Sequence, residues 1–145
     1  MYSRMEAASL SEIKDRIRVH EGYSLHTYDD HLGFKTGGIG HKMLPGEKVP
    51  TTEEGWLKLF NKDFDKALEG AARVCEGMDL PDRKFGVFVE MAYQLGEKGL
   101  SKFKNALAAA REKKWELCAL EMIQSKWHTQ TKARCEALAD IIQED

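Results

Sequence analysis

Residues 22–40 restrict the fold of this chain more than any other segment, because they interrupt an otherwise helical pattern with five glycines. Tyr23, Leu25, Tyr28 and Phe34 are scattered among polar residues in this segment. Short strands joined by tight turns fit such a pattern better than a helix does. Elsewhere apolar residues recur every three or four positions, which is the spacing of amphipathic helices. The sequence therefore predicts an α+β fold that is mostly α-helical.

A helix is predicted immediately before the glycine-rich segment. Ser9 and Glu12 have the Ser-x-x-Glu spacing of a capping box at its start. Gly22 is a suitable left-handed stop after Glu21. One face of this helix carries the apolar residues Leu10, Ile13 and Ile17. We therefore expect the helix to end at Glu21, directly before the predicted strands.

The remainder of the chain is predicted to be helical. Thr51 and Glu54 repeat the capping-box spacing before a long amphipathic helix. Trp56 lies at helical spacing within it, which favours packing between elements over a sugar-stacking platform. Residues 83–95 predict a helix and residues 96–101 a turn, and three shorter helices follow. No internal repeat or change of composition divides the chain, so its 145 residues predict one domain.

Glu21, Asp30 and Thr36 are candidate catalytic residues. A carboxyl at the C-terminal end of a helix lies at the negative end of the helix dipole, which disfavours ionisation and suits a general acid. Asp30 lies in polar, turn-like sequence, so we expect it to stay ionised. Glycoside hydrolysis uses two carboxyls in these opposite states, and a threonine hydroxyl can hold the attacking water. The spacing alone also fits two solvated surface carboxyls, because 32% of the chain is charged.

Composition argues against several other functions. A net charge of −2 provides no basic field for nucleic acid or an anionic membrane. Cys75, Cys118 and Cys135 are widely spaced in apolar helical sequence, so we expect them to be buried and reduced. The five histidines lack metal-ligand spacing, and no Gly-x-x-x-x-Gly-Lys-Ser/Thr phosphate loop occurs. We therefore expect neither a metal nor another cofactor.

The sequence predicts neither a signal peptide nor a membrane-spanning segment. Residues 1–8 contain Arg4, but no apolar run follows it. No segment approaches the roughly 20 consecutive apolar residues that a membrane-spanning helix needs. We therefore expect that another factor would have to carry the protein across a membrane if it acts on a cell wall.

Four separate motifs resemble the phage-type lysozymes, which form glycoside hydrolase family 24, and they occur in the order found in that family. The family's catalytic signature is a glutamate, eight residues, an aspartate, five residues and a threonine, as in Glu21, Asp30 and Thr36. The match around this signature continues to Gly38-Ile39-Gly40-His41. The other three motifs are LFNKD at residues 59–63, MAYQLGE at residues 91–97, and SKWHTQT at residues 125–131 with Arg134 after it.

The resemblance implies a lysozyme-like fold, in which a cleft separates a small β-hairpin lobe from a larger helical lobe. The small lobe would cover about residues 22–50, a bridging helix about 52–72 and the helical lobe about 79–145. The N-terminal helix would pack on the helical lobe. Residues 42–50 are shorter than the insertion of T-even phage members, so we expect a trimmed small lobe with altered outer sugar subsites.

The implied activity is hydrolysis of the β-1,4 bond between N-acetylmuramic acid and N-acetylglucosamine in peptidoglycan, with inversion of configuration. In this interpretation Glu21 is the general acid, while Asp30 and Thr36 hold or activate the attacking water. Two alternatives stay open, a lytic transglycosylase acting on the same bond and a non-catalytic wall-binding module of the same fold. Transglycosylases generally use a single catalytic glutamate, so the presence of Asp30 and Thr36 favours hydrolysis.

The resemblance also assigns supporting residues. Tyr93 and Gln94 match positions that line the family's cleft and bind substrate. Arg134 matches the arginine expected beside the acid, where its charge would oppose the effect of the helix dipole on Glu21, so the sequence leaves that balance open. His41 is expected to form a structural hydrogen bond with Asp63 on the following helix.

The expected partner is the glycan strand of peptidoglycan, with no nucleic acid and no stable insertion into a membrane. A monomer is the default expectation. For an endolysin, the family implies accumulation in the cytoplasm of the host bacterium, release by a holin and action on the wall in the periplasm.

Overall fold

The computed structural model describes residues 5–145, so residues 1–4, where the signal-peptide prediction partly falls, lie outside the described region. Within residues 5–145 a first helix is followed by three short strands and then by six helices. The elements are α1 (Ala7–Glu21), β1 (Ser24–Asp29), β2 (Lys35–Gly38), β3 (His41–Lys42), α2 (Glu53–Val74), α3 (Asp82–Ser101), α4 (Lys104–Arg111), α5 (Trp115–Ile123), α6 (Lys126–Gln130) and α7 (Lys132–Ile142). This arrangement confirms the predicted α+β, mostly helical fold.

The glycine-rich segment forms a three-stranded antiparallel sheet in the order β1-β2-β3. Tyr28 pairs with Thr36 across β1 and β2, and Thr36 pairs with Lys42 across β2 and β3. The expected hairpin is therefore extended by a short third strand. Because β2 is the central strand, β1 and β3 lie on either side of it.

Trp56 joins this sheet to α2. Its indole Nε1 donates a hydrogen bond of 2.8 Å to the carbonyl oxygen of Leu25, and its side chain is 1% exposed. The ring lies directly over the backbone of Gly37 and Gly38, where a Cβ atom would overlap it. The interpretation of Trp56 as packing between elements is confirmed, and the two glycines explain how the ring approaches the strand so closely.

The hydrophobic core lies among the helices. The longest helix, α2, presents a buried stripe to α3, with which it makes the most extensive helix–helix contact in the described chain. The helix α1 also packs on α3, where Ile13 lies against Gly86, and Ile17 of the same helix is buried too. The central part of α3 is buried without a break from residue 84 to residue 92. A helix buried on all sides fixes the position of every side chain along it, including any charged one.

The predicted start of α1 is wrong. The helix begins at Ala7 and no side chain caps it, so Ser9 and Glu12 lie inside the first turns rather than forming a capping box. Met5 and Leu10 both pack against the core at this end, in the positions of a hydrophobic staple. Burial of these apolar side chains thus extends α1 toward the N-terminus, beyond the start that the capping-box spacing of Ser9 and Glu12 predicted.

Two other predicted boundaries differ from the structure. Thr52, rather than Thr51, caps α2, and its hydroxyl accepts a hydrogen bond of 3.1 Å from the amide of Gly55. Residues 97–101, predicted as a turn, resume the helix of α3 after a break at Gly96, where φ is 79°. The helix resumes because Leu100 is fully buried on the far side of the break.

All three cysteines are buried and free, as predicted. Burial raises the pKa of the thiols of Cys75 and Cys118 to about 12 and that of Cys135 to about 11. Within residues 5–145, none of the helices combines the length and the apolar composition needed to cross a membrane.

Candidate active site

Glu21 is the last residue of α1, and the chain leaves the helix at Gly22 with φ of 72°. The side chain of Glu21 is 17% exposed and lies against the turn between β2 and β3. Gly40 in that turn is so close that a Cβ atom there would overlap Oε1 of Glu21. The predicted helix end and its glycine stop are therefore confirmed, and they bring the carboxyl of Glu21 to the sheet.

Arg134 on α7 bonds to the other oxygen of the same carboxyl. Its Nη1 donates a hydrogen bond of 2.8 Å to Oε2 of Glu21. Only 10% of the arginine side chain is exposed. The structure therefore brings together the two groups that the sequence resemblance placed side by side.

Asp30 lies at the turn after β1 in a very different environment. Its Oδ1 accepts hydrogen bonds from the backbone amides of Phe34, at 2.8 Å, and Leu32, at 2.9 Å. The amide of Phe34 is the main reason that the pKa of Asp30 lies below its usual value, since the opposing effect of desolvation is smaller. The predicted ionised state of Asp30 follows from this turn.

Thr36 lies on β2 and is 4% exposed. Its hydroxyl donates a hydrogen bond of 3.0 Å to the carbonyl oxygen of Phe34, whose amide holds Asp30. The hydroxyl hydrogen is therefore engaged, while the oxygen keeps lone pairs that can accept a hydrogen bond from water. One turn thus orients both the carboxylate of Asp30 and the hydroxyl of Thr36.

Tyr28 connects the surroundings of Glu21 and Asp30. Its partner in the sheet is Thr36. Partial burial raises the pKa of the Tyr28 hydroxyl, and the negative charges of both Glu21 and Asp30 raise it further. The phenol is therefore close enough to both carboxyls to be influenced by each of them.

Glu90 is a buried charge at the centre of the site that the sequence analysis did not identify. It is 0% exposed, and its carboxylate is bonded by Arg16, His20 and Arg134. Burial alone would raise the pKa of Glu90, but the nearby arginines and His20 outweigh it and hold the pKa below its usual value. A carboxyl inside the apolar run from Phe85 to Ala92 was the sequence signal that could have revealed it.

The two predicted substrate-binding residues are both engaged within the protein. The hydroxyl of Tyr93 donates a hydrogen bond to the carbonyl oxygen of Ile39, so it ties α3 to the end of the sheet. Oε1 of Gln94 accepts a hydrogen bond of 3.0 Å from the indole Nε1 of Trp127. The amide nitrogen of Gln94 still has donors to offer a ligand. Substrate binding by Tyr93 and Gln94 stays a prediction.

An open pocket of about 730 Å³ adjoins Gln94, because Trp127 forms part of its wall. It lies among α3, α4, α5 and α6. Its lining combines apolar side chains with three lysines, including Leu95, Phe103, Trp127, Lys102, Lys104 and Lys126. Glu21 and Arg134 do not line the pocket, and Gln94 is connected to it only through the hydrogen bond to Trp127.

The predicted pairing of His41 with Asp63 is confirmed. Nδ1 of His41 lies 2.6 Å from Oδ2 of Asp63, and Nε2 lies 3.0 Å from the carboxylate of Glu47. The bond to Asp63 raises the pKa of His41 to about 9, with burial opposing it and Glu47 adding to it. Glu47 comes from the short loop after β3, so this contact anchors the loop to the sheet.

Comparison with known proteins agrees with this arrangement. The profile of the phage lysozyme family matches residues 18–140. A protein named "Probable T4-type lysozyme 2" from Dictyostelium discoideum is 29% identical over 92% of this chain and 95% of its own length. "Peptidoglycan hydrolase gp36" of Pseudomonas phage phiKMV is 29% identical over 81% of this chain, which corresponds to 13% of that longer protein.

The fold is that of a lysozyme. Because the family profile spans most of the sequence, the chain belongs to the phage lysozyme family. It is therefore an enzyme of the lysozyme class.

Proposed function

We propose that this lysozyme hydrolyses the β-1,4 bond between N-acetylmuramic acid and N-acetylglucosamine in peptidoglycan, with inversion at the anomeric carbon. The observation that carries the proposal is the contrast between two carboxyls that share Tyr28 as a neighbour. Glu21 is mostly buried at the end of α1, against the turn between β2 and β3, while Asp30 is held ionised by backbone amides. Two carboxyls in such different environments suit an acid and a base.

In the proposed reaction Glu21 gives its proton to the glycosidic oxygen as the bond from that oxygen to the anomeric carbon breaks. A water held by Asp30 and Thr36 attacks the same carbon from the opposite face. Its oxygen forms the new bond, and its proton passes to Asp30. The products are a free reducing muramic acid end and a free hydroxyl on the released glucosamine.

Asp30→Asn tests this assignment, with Asp29→Asn as the matched control on the adjacent exposed residue. Loss of the base should lower kcat by roughly 100-fold or more, whereas the control should change it less than about twofold. The rate of release of reducing ends from purified peptidoglycan measures both effects. Equal activity of the two variants would remove Asp30 from the mechanism.

Product chemistry separates the proposed reaction from transglycosylation. The initial anomer, followed by NMR on a soluble oligosaccharide, should be opposite to that of the substrate. Products ending in 1,6-anhydromuramic acid would instead identify a transglycosylase, because that product forms without water. Binding of peptidoglycan with no product of either kind would indicate a non-catalytic module.

The cellular setting stays a prediction. A monomer is the default expectation, whereas accumulation in a host cytoplasm and release by a holin follow from the family resemblance alone.

A further inference from the structure

A row of three side chains crosses the sheet beside the proposed base. Thr36 on β2 is paired with Tyr28 on β1 and with Lys42 on β3. Directly paired residues of antiparallel strands carry their side chains on the same face of the sheet. Tyr28 and Lys42 therefore flank Thr36, which is 4% exposed, while both of them reach solvent. The threonine that is proposed to hold the attacking water thus has a cation as its neighbour on one side.

Phe34 determines where this cation lies. It precedes Thr36 by two positions, and its ring is exposed. Nζ of Lys42 lies 5.0 Å from the centre of that ring. A cation within about 6 Å of an aromatic face is attracted to it, so the ring restrains the long lysine side chain. Because the amide of Phe34 also bonds to Asp30, one residue positions both the proposed base and the cation.

The ammonium of Lys42 is free to bind a ligand. Among the described residues it makes no ion pair with a carboxylate, so its three donors are available. It is nevertheless within electrostatic range of Asp30. The amide of Phe34 is the main cause of the lowered pKa of Asp30, with desolvation opposing it. The amide of Leu32 and then the charges of Lys42 and His31 lower this pKa further.

The proposed substrate brings a carboxylate to the same place. The carbon attacked in the proposed reaction is the anomeric carbon of a muramic acid unit, and C3 of the same ring carries a lactyl group. The lactyl carboxyl is free in strands without peptide. In strands with peptide an amide joins it to the stem, and the stem has carboxylates of its own. A strand attacked by water at Asp30 and Thr36 therefore places negative charge close to Lys42.

We propose that Lys42 is a substrate-binding residue that pairs with a carboxylate of the muramic acid unit under attack, on its lactyl group or on its peptide stem. The inference rests on the proposed function, because attack on this bond is what brings the muramic acid to the sheet. The negative charge of Asp30 repels such a substrate, and the positive charge of Lys42 offsets that repulsion. Lys42 thus favours anionic strands at a site whose proposed base is itself anionic.

Lys42→Met removes the charge and keeps an unbranched apolar side chain against Phe34. The matched control is Lys35→Met, because Lys35 is exposed on β2 directly before Thr36 and its side chain lies on the opposite face of the sheet. Lys42→Arg keeps a cation over the ring and should behave as the wild type does. The three variants and the wild type should have similar Tm values, since both lysines are exposed.

Two kinds of glycan strand identify the carboxylate, one with its peptides and one without, each before and after its carboxyls are amidated with methylamine. Lys42→Met should raise the KM on unmodified strands roughly fivefold, which is the upper range for an exposed ion pair. The kcat should change less than about twofold, and amidation should abolish the difference from the wild type. An effect on peptide-free strands identifies the lactyl carboxylate, and one on peptide-bearing strands alone identifies the stem.

Three results would overturn the inference. They are an unchanged KM on both kinds of strand, an equal rise after amidation, and a fall in kcat alone, which would mean that Lys42 acts only through Asp30. An equal effect of Lys35→Met would indicate general attraction between charges and would overturn it too.

Binding separates this inference from the proposed function, because it does not require hydrolysis. Dissociation constants for the same strands are measured in a Glu21→Gln background, where Lys42→Met should weaken binding by the same roughly fivefold factor. If the wild type is active and these constants do not change, the inference is wrong. If the wild type releases no hydrolysed product, the proposed function fails, and the dissociation constants alone decide whether Lys42 binds the carboxylate.

Discussion

Gly40 shows how a single residue without a side chain determines where Glu21 can lie. Its φ is 69°, and a Cβ atom would overlap the carboxyl of Glu21. The Gly-Gly-Ile-Gly sequence therefore provides both a turn and room for the acid. Gly46 has a similar φ of 79° in the loop after β3, but nothing lies within 4 Å of the position of its Cβ.

Gly40→Ala should therefore inactivate the enzyme, whereas Gly46→Ala should not. Both substitutions place a side chain at positive φ, so each should lower the free energy of unfolding by roughly 1–3 kcal/mol. Only the change at Gly40 displaces Glu21, and a displacement of about 1 Å can lower kcat roughly 100-fold. Urea unfolding and release of reducing ends measure the two effects separately. Similar activities for the two variants would contradict this account.

At the level of single residues, the spacing of Glu21, Asp30 and Thr36 was informative because local structure fixes each of them. A helix end, an aspartate turn and a strand position can all be recognised from neighbouring residues. Glu90 could not be placed in the same way, since its partners come from α1 and α7, which are distant in sequence. Long-range ion pairs depend on packing that no local pattern encodes.

Among the elements, the junction between β3 and α2 carries a charge cluster of its own. His41 lies between Asp63 on α2 and Glu47 in the loop, with 11% of its side chain exposed. Its pKa rises from 6.5 to about 9 in the folded state. Because the folded pKa is raised, this stabilisation is complete below pH 6.5 and is lost as the pH rises through 9.

Asp63→Asn should therefore destabilise the protein at pH 6 but hardly at pH 10. At pH 6 the loss in free energy of unfolding should be about 2 kcal/mol, and it should fall toward zero once His41 is neutral in both proteins. The pKa of His41, followed by NMR, should also fall toward its ordinary value. Asp65→Asn, at an exposed position on the same helix, is the control. A loss that is independent of pH would contradict the pairing.

A substitution of Tyr93 can show whether this residue of α3 stabilises the fold or contacts the sugar. Its hydroxyl bonds to the carbonyl oxygen of Ile39, so Tyr93→Phe should lower the free energy of unfolding by about 1 kcal/mol. The KM should change less than about twofold, because the hydroxyl already has a partner. A large rise in KM without a loss of stability would instead support the sugar contact inferred from the family resemblance.

Over the whole molecule, the sequence predicted the fold class better than the boundaries of its elements. The alternation of glycines with aromatic residues marked the sheet, and the three- and four-residue spacing marked the helices. Ser9 predicted too late a start for α1, because Met5 packs into the core before it. Gly96 predicted a turn up to residue 101, but α3 resumes directly after it and buries Leu100. In both cases burial against distant elements overrode the local sequence signal.

The three cysteines report on the stability of the whole fold. Each is 0% exposed, and burial raises the pKa of each thiol well above that of a free cysteine. Reaction with a thiol reagent should therefore be slow in the native protein and rapid for all three in urea, since the thiolate is the reacting form. Fast labelling of any one cysteine under native conditions would indicate local opening around it.

Glu21→Gln provides the most direct test of the central claim. Purified peptidoglycan is digested with wild type, with Glu21→Gln and with Glu97→Gln, a control on α3 where Glu97 pairs with Arg73 at an exposed position. The released muropeptides are analysed by mass spectrometry. The account predicts products with free reducing muramic acid from wild type and control, and a loss of roughly a thousandfold or more in the Glu21 variant. Undiminished release of the same products by Glu21→Gln would contradict it.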